Sequence, residues 1–268
     1  MEENSCLESE RMGDRTRISV RNLTHSFSVP GSEAVLPVLE AVSFEVMEAE
    51  LLCLVGPSGC GKTTLLKLLA GLIATSEGTL QIDGRSVNGP SPDRVLLFQE
   101  LYLFHWMTAL GNVEFALEAK GVPKAARRDE AADILEFVGL KGFQNYYPHE
   151  ISGGMRQRLA LARALAAEPS ILLMDEPFGS LDVETRAEME NEFLALREVR
   201  NFTTILVTHD VRQAIFLGDR VLVMSQRPAT INMNVSVPFA RPRQPCLRQS
   251  TEFHAWEDRL ARSIRSGG

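Results

Sequence analysis

Short apolar runs separated by amphipathic stretches predict a sheet built mostly of parallel strands. Continuous apolar runs of four or five residues are typical of strands that are buried on both faces. Between these runs lie stretches in which apolar residues recur with the spacing of a helix. The alternation of strands and helices indicates an α/β fold. The predicted strands are 51–55, 95–98, 171–174, 204–207 and 221–224, and the predicted helices between them include 63–72, 155–167, 186–200 and 211–217.

The pattern is different in the first part of the chain and in a segment near its middle. Ile18–Val20, Ser26–Val29 and Val42–Val46 alternate between apolar and polar residues, as half-buried strands do. Between about residues 100 and 165, helical spacing with charged outer faces, over 112–120 and 124–138, predicts a helical insertion.

The two ends of the chain differ in composition from the rest. Residues 1–16 are polar and acidic and are expected to form a disordered leader. We expect one domain over residues 17–245 and a tail over 246–268, with a short amphipathic helix near 252–265. Proline and arginine are frequent after Arg227-Pro228, so no strand is predicted there.

Charge, cysteine content and hydropathy limit the kinds of function that the chain is expected to have. The formal net charge is −7 over 268 residues, and no block of lysine and arginine favours a nucleic-acid partner. The four cysteines form no CxxC pair, so a metal-thiolate site or a disulfide framework is not expected, and a reduced cytoplasm fits better. No apolar run approaches the roughly 20 residues that span a bilayer, so a role at a membrane would require a partner protein.

A glycine-rich loop follows the first buried strand and precedes a helix. In this context the glycines let backbone N–H groups surround a phosphate, and the helix adds the positive end of its dipole. Lys62 supplies a charge to the β- and γ-phosphates, and the Thr63 hydroxyl is suited to binding Mg²⁺. The predicted nucleotide-binding residues are Gly56, Pro57, Ser58, Gly59, Cys60, Gly61, Lys62, Thr63 and Thr64.

Four polar residues at or just beyond other strand ends are the candidates for the chemistry of hydrolysis. We assign Asp175 to the Mg²⁺ shell and Glu176 to polarisation of the water that attacks the γ-phosphate. Gln99 can reach both Mg²⁺ and that water, and His209 can hydrogen-bond the γ-phosphate. A lone strand-end glutamine or an isolated histidine is more often structural, whereas two acids that start a loop are structural in a minority of cases. The order of the motifs along the chain favours the functional interpretation of all four residues.

A second phosphate-binding element is predicted where Ser152, Gly153, Gly154 and Met155 begin a helix. The free N–H groups of a helix start, together with its dipole, suit an anion, and the glycines permit close approach. A simple serine N-cap followed by flexible glycines is the structural alternative.

In this order the motifs resemble those of the ATP-binding subunit of ABC transporters over roughly residues 18–245. The resemblance implies a P-loop NTPase (RecA-like) core with an N-terminal antiparallel β-subdomain and a helical signature insertion. It implies ATP and Mg²⁺ as cofactors and a head-to-tail dimer in which Ser152–Met155 of one copy completes the ATP site of the other. Asp182 would lie at the dimer seam. Phe27 is the candidate for stacking on adenine, with a core strand residue as the alternative.

Further residues resemble the nitrate, sulfonate and taurine importer ATPases: Met155 in the signature, Phe178 after Pro177, and Trp106. This resemblance implies an integral membrane permease as a partner and no nucleic-acid partner. It also implies an extracytoplasmic solute-binding protein as an indirect partner, and a peripheral position on the cytoplasmic face of the inner membrane. Residues 100–106 are apolar and aromatic where a solvated loop would be polar, so they would form a docking surface for the permease. Alternatively, they pack between the two lobes of the protein. The alternatives for function are import of another small solute and a soluble ABC-type ATPase that acts on DNA or ribosomes.

Departures from the usual pattern of these importers affect three positions. Phe104-His105 replaces leucine-proline, Gln213 stands where a glutamate is common, and Ala49 replaces a glycine. Each leaves the catalytic groups in place.

Overall fold

The structure is a computed structural model that describes residues 15–28, 31 and 34–266. Its elements in chain order are β1 (Thr16–Ser28), β2 (Val35–Met47), β3 (Leu51–Val55), α1 (Lys62–Leu69), β4 (Glu77–Ile82), β5 (Arg85–Ser86), β6 (Arg94–Leu97), α2 (Ala109–Lys120), α3 (Lys124–Phe137), α4 (Gly153–Ala166), β7 (Ile171–Asp175), α5 (Val183–Val199), β8 (Thr203–Val207), α6 (Val211–Leu217), β9 (Arg220–Met224), β10 (Ile231–Ser236) and α7 (Thr251–Ser266), with 3₁₀ turns at Pro148–Glu150 and Pro245–Gln249.

A six-stranded sheet forms the centre of the molecule, in the order β10-β9-β3-β8-β7-β6. All neighbouring strands are parallel except β10, which runs antiparallel to β9. Successive side chains of a strand point to opposite faces. Leu51, Cys53 and Val55 therefore pack into one core, with the helical region, and Leu52 and Leu54 into the other, with α1 and the N-terminal strands. The mostly parallel α/β core is thus as predicted.

The N-terminal strands form a separate antiparallel sheet in the order β2-β1-β4-β5. Its alternating residues, among them Ile18, Val20, Val42 and Phe44, are buried against the second core. Of the predicted strand 26–29, Ser28 ends β1 and Val29 lies outside the described residues.

The helical insertion consists of α2, α3 and α4. The Thr108 side chain accepts a hydrogen bond from the Gly111 amide and so caps the start of α2, and Gly121 ends this helix in the left-handed conformation. Leu117, Leu135 and Leu159 come one from each helix and are fully buried in the first core.

Three strands lie where the sequence predicted none: β4, the two-residue strand β5 and β10. β4 begins at Glu77, in a segment that was predicted to be only a turn, and pairs with β1 through Glu77 and Thr24. β10 covers Ile231–Ser236, although the proline- and arginine-rich composition predicted no strand there. The alternation Ile-Asn-Met-Asn-Val-Ser carries the period of a strand, and the flanking prolines obscured it.

The ends of the chain also refine the expectations. Residues 1–14 of the predicted leader lie outside the described residues, and Thr16 already belongs to β1. Helix α7 packs on the main domain, and its Phe253 and Leu260 are fully buried. Across the described ranges, the structure has no helix that is both long and apolar enough to cross a membrane.

Candidate nucleotide-binding site

The predicted site residues that lie at or just beyond the ends of four parallel strands come together because these strands are neighbours. Parallel strands β3, β8, β7 and β6 present their carboxyl ends at one edge of the sheet, where loops form ligand sites in open α/β folds. The glycine loop follows β3, His209 follows β8, and Gln99 follows β6. Asp175 ends β7 and Glu176 comes directly after it.

A cleft of about 270 Å³ lies at this edge. Ten residues predicted for the site line it, together with three that were not predicted. The predicted ones are Phe27, Ser58, Gly59, Gly61, Lys62, Thr63, Thr64, Gln99, Asp175 and Glu176, and the others are Leu36, Val38 and Arg227.

The glycine loop is closely packed against β2 and closed by its own lysine. Gly61 has φ +121°, and a Cβ there would lie 2.8 Å from Val38 Cγ1, so a larger residue is excluded. The buried Lys62 ammonium donates to the carbonyl oxygens of Gly56 at 2.9 Å and Pro57 at 2.8 Å. These bonds hold the charge inside the loop, where a polyphosphate would be cradled.

Cys60 takes part in the same packing. Its thiol is buried and lies 3.9 Å from Lys62 Nζ. Gly56, Pro57 and Cys60 therefore support the loop from behind, without lining the cleft themselves.

Thr63 and Asp175 form the part of the cleft that suits a cation. Their side chains are hydrogen-bonded to each other, and burial raises the pKa of the Asp175 carboxyl above its ordinary value, against the lowering effect of this bond. A buried carboxylate of this kind gains from a nearby cation. Gln99 lines the same cleft with an exposed side chain. One carboxylate, one hydroxyl and one amide fit Mg²⁺, which keeps several waters and takes its remaining ligands from phosphate.

Glu176 is held beside His209. Glu176 Oε2 lies 3.0 Å from His209 Nδ1, and the glutamate side chain is shielded while the histidine is largely exposed. The direction of the Glu176 side chain is not set by alternation along a strand, because β7 ends at Asp175. It comes from a left-handed backbone at φ +47°, fixed by a hydrogen bond from its amide to the Val207 carbonyl at 2.9 Å.

Phe27 lies on β1 and lines the cleft. It pairs with Leu36 of β2 and packs edge-to-face on the His25 ring at a centroid distance of 4.8 Å. The residue is 41% exposed, so the structure does not support the alternative of a core strand residue.

The signature residues lie outside this cleft. Ser152 caps α4 by accepting a hydrogen bond from the Met155 amide at 3.2 Å, and Ser152 and Gly153 are exposed. A Cβ on Gly154 would lie 2.7 Å from Thr185 Cγ2, which places the start of α4 against the start of α5. No residue of 152–155 lines the cleft in the described part of the chain, so one copy does not bring its two predicted phosphate-binding elements together.

Asp182 is the N-cap residue of α5. Its carboxylate accepts hydrogen bonds from the amides of Glu184 at 3.1 Å and Thr185 at 3.0 Å and so caps α5. The bond from Thr185 is the main cause that lowers the pKa of Asp182. This capping role was not predicted from the sequence.

The aromatic segment 100–106 is divided between packing and exposure. Leu103 is buried in the core, whereas Tyr102 is 60% and Trp106 72% exposed. Phe104 lies between them and contacts Trp106, Phe115 and the guanidinium of Arg163. Leu103 therefore packs in the core, and docking of a permease on the exposed Tyr102 and Trp106 stays a prediction.

Comparison with known proteins identifies the family. Residues 39–179 match the ABC transporter family. The chain belongs to the ATP-binding proteins of ABC transporters. It is an ATPase of the class that couples ATP hydrolysis to transport, and both predictions are confirmed.

Several ABC relatives match over most of their length. An uncharacterised ABC transporter ATP-binding protein of Methanocaldococcus jannaschii is 43% identical, with coverage of 94% of this chain and 92% of the relative. The nitrate import ATP-binding protein of Synechocystis is 39% identical, with 88% and 91% covered. The taurine import ATP-binding protein of Roseobacter denitrificans is 43% identical, with 84% of each covered. The resemblance to nitrate and taurine importer ATPases is thereby confirmed.

A solved ABC cassette has the same fold. The dimeric post-hydrolysis structure of the ATP-binding cassette MJ0796 with ADP and Pi aligns with a TM-score of 0.73 and 30% identity. It covers 83% of this chain and 100% of that one. The predicted P-loop NTPase core is therefore confirmed for this chain, and that cassette is a dimer.

Proposed function

We propose that this chain is the ATP-hydrolysing subunit of an ABC importer for a small anionic solute of the nitrate, aliphatic sulfonate or taurine type. The separation of the signature from the cleft is the observation that carries the proposal. A cleft that holds the loop and the carboxylates, but lacks Ser152–Met155, is half of a site that a second copy completes head to tail.

Within the site, the loop and Lys62 bind the phosphates, and Thr63, Asp175 and Gln99 would hold Mg²⁺. Bound Mg²⁺ would neutralise charge on the phosphates. Phosphoryl transfer depends mainly on positioning and on charge stabilisation of this kind.

Glu176 takes a proton from the attacking water, since its carboxylate lines the cleft with an acceptor oxygen available. His209 holds that carboxylate through the 3.0 Å contact between Nδ1 and Oε2, and its exposed ring can turn to the γ-phosphate. Phe27 stacks on the adenine, because its exposed ring lines the cleft.

The second copy supplies the start of α4, and Asp182 at the start of its α5. Ser152 and Gly153 are exposed, and the helix dipole of α4 points its positive end outward, as binding of a γ-phosphate across a dimer requires. The dimeric cassette among the structural relatives supports this arrangement.

A separate integral membrane permease binds the exposed aromatics around Trp106. These side chains border a largely apolar cleft of about 580 Å³, lined by Tyr102, Phe104 and Phe115 among others. Binding there would place the ATPase on the cytoplasmic face of the inner membrane, and an extracytoplasmic solute-binding protein would deliver the solute to the permease. The names of the nitrate and taurine import relatives support this class of solute.

Glu176→Gln tests the proposal. The amide preserves the shape of the side chain but cannot accept a proton, so ATP should still bind and hydrolysis should fall by about 10²-fold or more. We expect the purified variant to form a stable dimer in ATP and to remain a monomer in ADP, as measured by size-exclusion chromatography with light scattering. Wild-type turnover in this variant would contradict the role of Glu176.

The import function is tested in cells from which this protein has been deleted and which have no other uptake system for the solute. Wild-type protein should restore uptake of radiolabelled nitrate, taurine or an alkanesulfonate, and Glu176→Gln should restore none. Co-purification of the protein with ribosomes or DNA, and without a membrane protein, would favour the alternative of a soluble ABC-type ATPase.

A further inference from the structure

Arg227 is a cation of the cleft that no motif predicted. It lies in the turn between β9 and β10 and lines the same cleft as the glycine loop. Its Nη2 atom lies 3.6 Å from the position that a Cβ on Gly59 would occupy, so the guanidinium rests against the loop backbone. The side chain is exposed at the rim, in contrast to the buried Lys62.

Other arginines that flank β9 and β10 have structural partners. Arg220 pairs with Glu50, Arg241 with Asp219, and Arg243 donates to three backbone carbonyls near the end of α6. Arg227 forms no ion pair or side-chain hydrogen bond with any residue in the described ranges 15–28, 31 and 34–266. A guanidinium in a phosphate-binding cleft, with its donors unused, is suited to bind a phosphate oxygen.

Backbone hydrogen bonds fix the side of the cleft on which Arg227 lies. The Ala229 amide donates to Val38 O at 2.9 Å, and the Glu40 amide donates to Ala229 O at 3.0 Å. The turn is therefore attached to β2, on the wall that also carries Leu36 and the neighbouring Phe27. Asp175 and Glu176 come from β7, three strands away from β9 in the sheet.

We propose that Arg227 binds the phosphates nearest the ribose, and thereby contributes to affinity for ATP and ADP alike without taking part in hydrolysis. The proposal rests on the function proposed above, since it assigns an additional contact within that ATP site. Lys62 contacts the β- and γ-phosphates from inside the loop, where bound Mg²⁺ would add its charge, and Arg227 contacts the other end of the polyphosphate from the rim.

The test compares Arg227→Gln and Arg227→Lys with wild type by calorimetric titration with Mg-ADP and with Mg-AMP-PNP. Loss of a partly exposed charge-assisted hydrogen bond should weaken both nucleotides by a similar factor, about threefold to thirtyfold for glutamine. Lysine should lose less, because it keeps the charge without the planar fork. The KM for ATP should rise with the same factor, while kcat at saturating ATP stays near the wild-type value.

Arg128→Gln is the matched control, because it removes the same charge from an exposed position on α3, outside the cleft. It should leave both affinities unchanged. Equal affinities of wild type and Arg227→Gln would overturn the proposal, and so would a loss confined to Mg-AMP-PNP, which would place the contact at the γ-phosphate. Failure of wild-type protein to bind either nucleotide would instead refute the ATP site itself.

Discussion

Asp182 combines a structural role with its proposed place at the dimer seam. As the N-cap of α5 it accepts two backbone hydrogen bonds, so the carboxylate stabilises the fold even in the absence of a second copy of the chain. Substitutions separate the two roles, because asparagine keeps an acceptor oxygen and removes the charge, whereas alanine removes both.

In the absence of nucleotide we expect Asp182→Asn to melt slightly below wild type and Asp182→Ala to melt clearly lower. The folded-state pKa of Asp182 is depressed. The charge therefore stabilises the fold fully above the unfolded carboxyl pKa of about 3.9, and this stabilisation is lost as the pH falls through the folded pKa. Calorimetric melting across pH 7 to 3 should show the gap between wild type and Asn closing at acid pH. A gap that widens toward acid would refute the capping role.

Two departures from the importer pattern acquire physical explanations in the structure. Gln213 donates from Nε2 to the buried Glu190 at 2.7 Å, and a glutamate there would place a second carboxylate beside the first. Ala49 adopts φ +58°, in the left-handed region that favours the glycine usual at this position.

The sequence predicted that Lys62, Asp175 and Glu176 share one site, because they belong to motifs of fixed order at or beyond strand ends, and the structure brings them into one cleft. It did not predict Arg227, because this residue enters the cleft through hydrogen bonds between β2 and a turn almost two hundred residues further along the chain. Nor did it predict the left-handed backbone of Glu176, which depends on a bond to β8.

Among the helices, α5, α6 and the 3₁₀ turn Pro245–Gln249 are joined by one buried carboxylate. Glu190 of α5 is 1% exposed and binds both Gln213 of α6 and Arg248 of the turn. The Arg248 guanidinium also lies 3.8 Å from the centroid of the Phe216 ring. The C-terminal segment is thereby attached to the helix that follows His209.

Arg248→Met should destabilise the fold by roughly 3–5 kcal/mol, because it leaves the buried carboxylate of Glu190 without its cation. Adding Glu190→Gln should recover much of this loss, since the neutral amide has less need of a counter-ion. Urea unfolding followed by circular dichroism measures both. Arg262→Met, on the exposed face of α7, serves as the control and should change stability little. A double variant less stable than Arg248→Met would show that the carboxylate is not the source of the loss.

Strands and helices were predictable where their periodicity was undisturbed, as in β3, β7 and α6. Of the three missed strands, β4 and β10 are sheet partners of strands that were found, β1 and β9, and β5 pairs with β4. Each contains or follows glycine or proline that reads locally as a turn. Their pairing is a tertiary effect that local propensity does not determine.

The molecule as a whole connects its exposed aromatic surface to the signature through α4. Arg163, in the last turn of that helix, donates to the carbonyls of Leu101 at 3.0 Å and Tyr102 at 2.8 Å, and its side chain stacks on Phe104. Burial lowers the pKa of Arg163, which indicates how far these contacts shield it. The opposite end of the same helix carries Ser152 and Gly153. A rigid helix with the proposed permease surface at one end and the proposed partner ATP site at the other can transmit displacement between them.

Trp106→Ser should therefore separate hydrolysis from transport. The ring is 72% exposed, so the fold and the basal ATPase activity of the purified protein should change little, while solute uptake in complemented cells should fall by about tenfold or more, as loss of a central aromatic anchor does at interfaces. Phe137→Ser is the matched control, because this aromatic is 49% exposed at the end of α3, away from the segment 100–106. If Trp106→Ser keeps full uptake, or if Phe137→Ser loses it equally at normal protein levels, the permease does not bind through this surface.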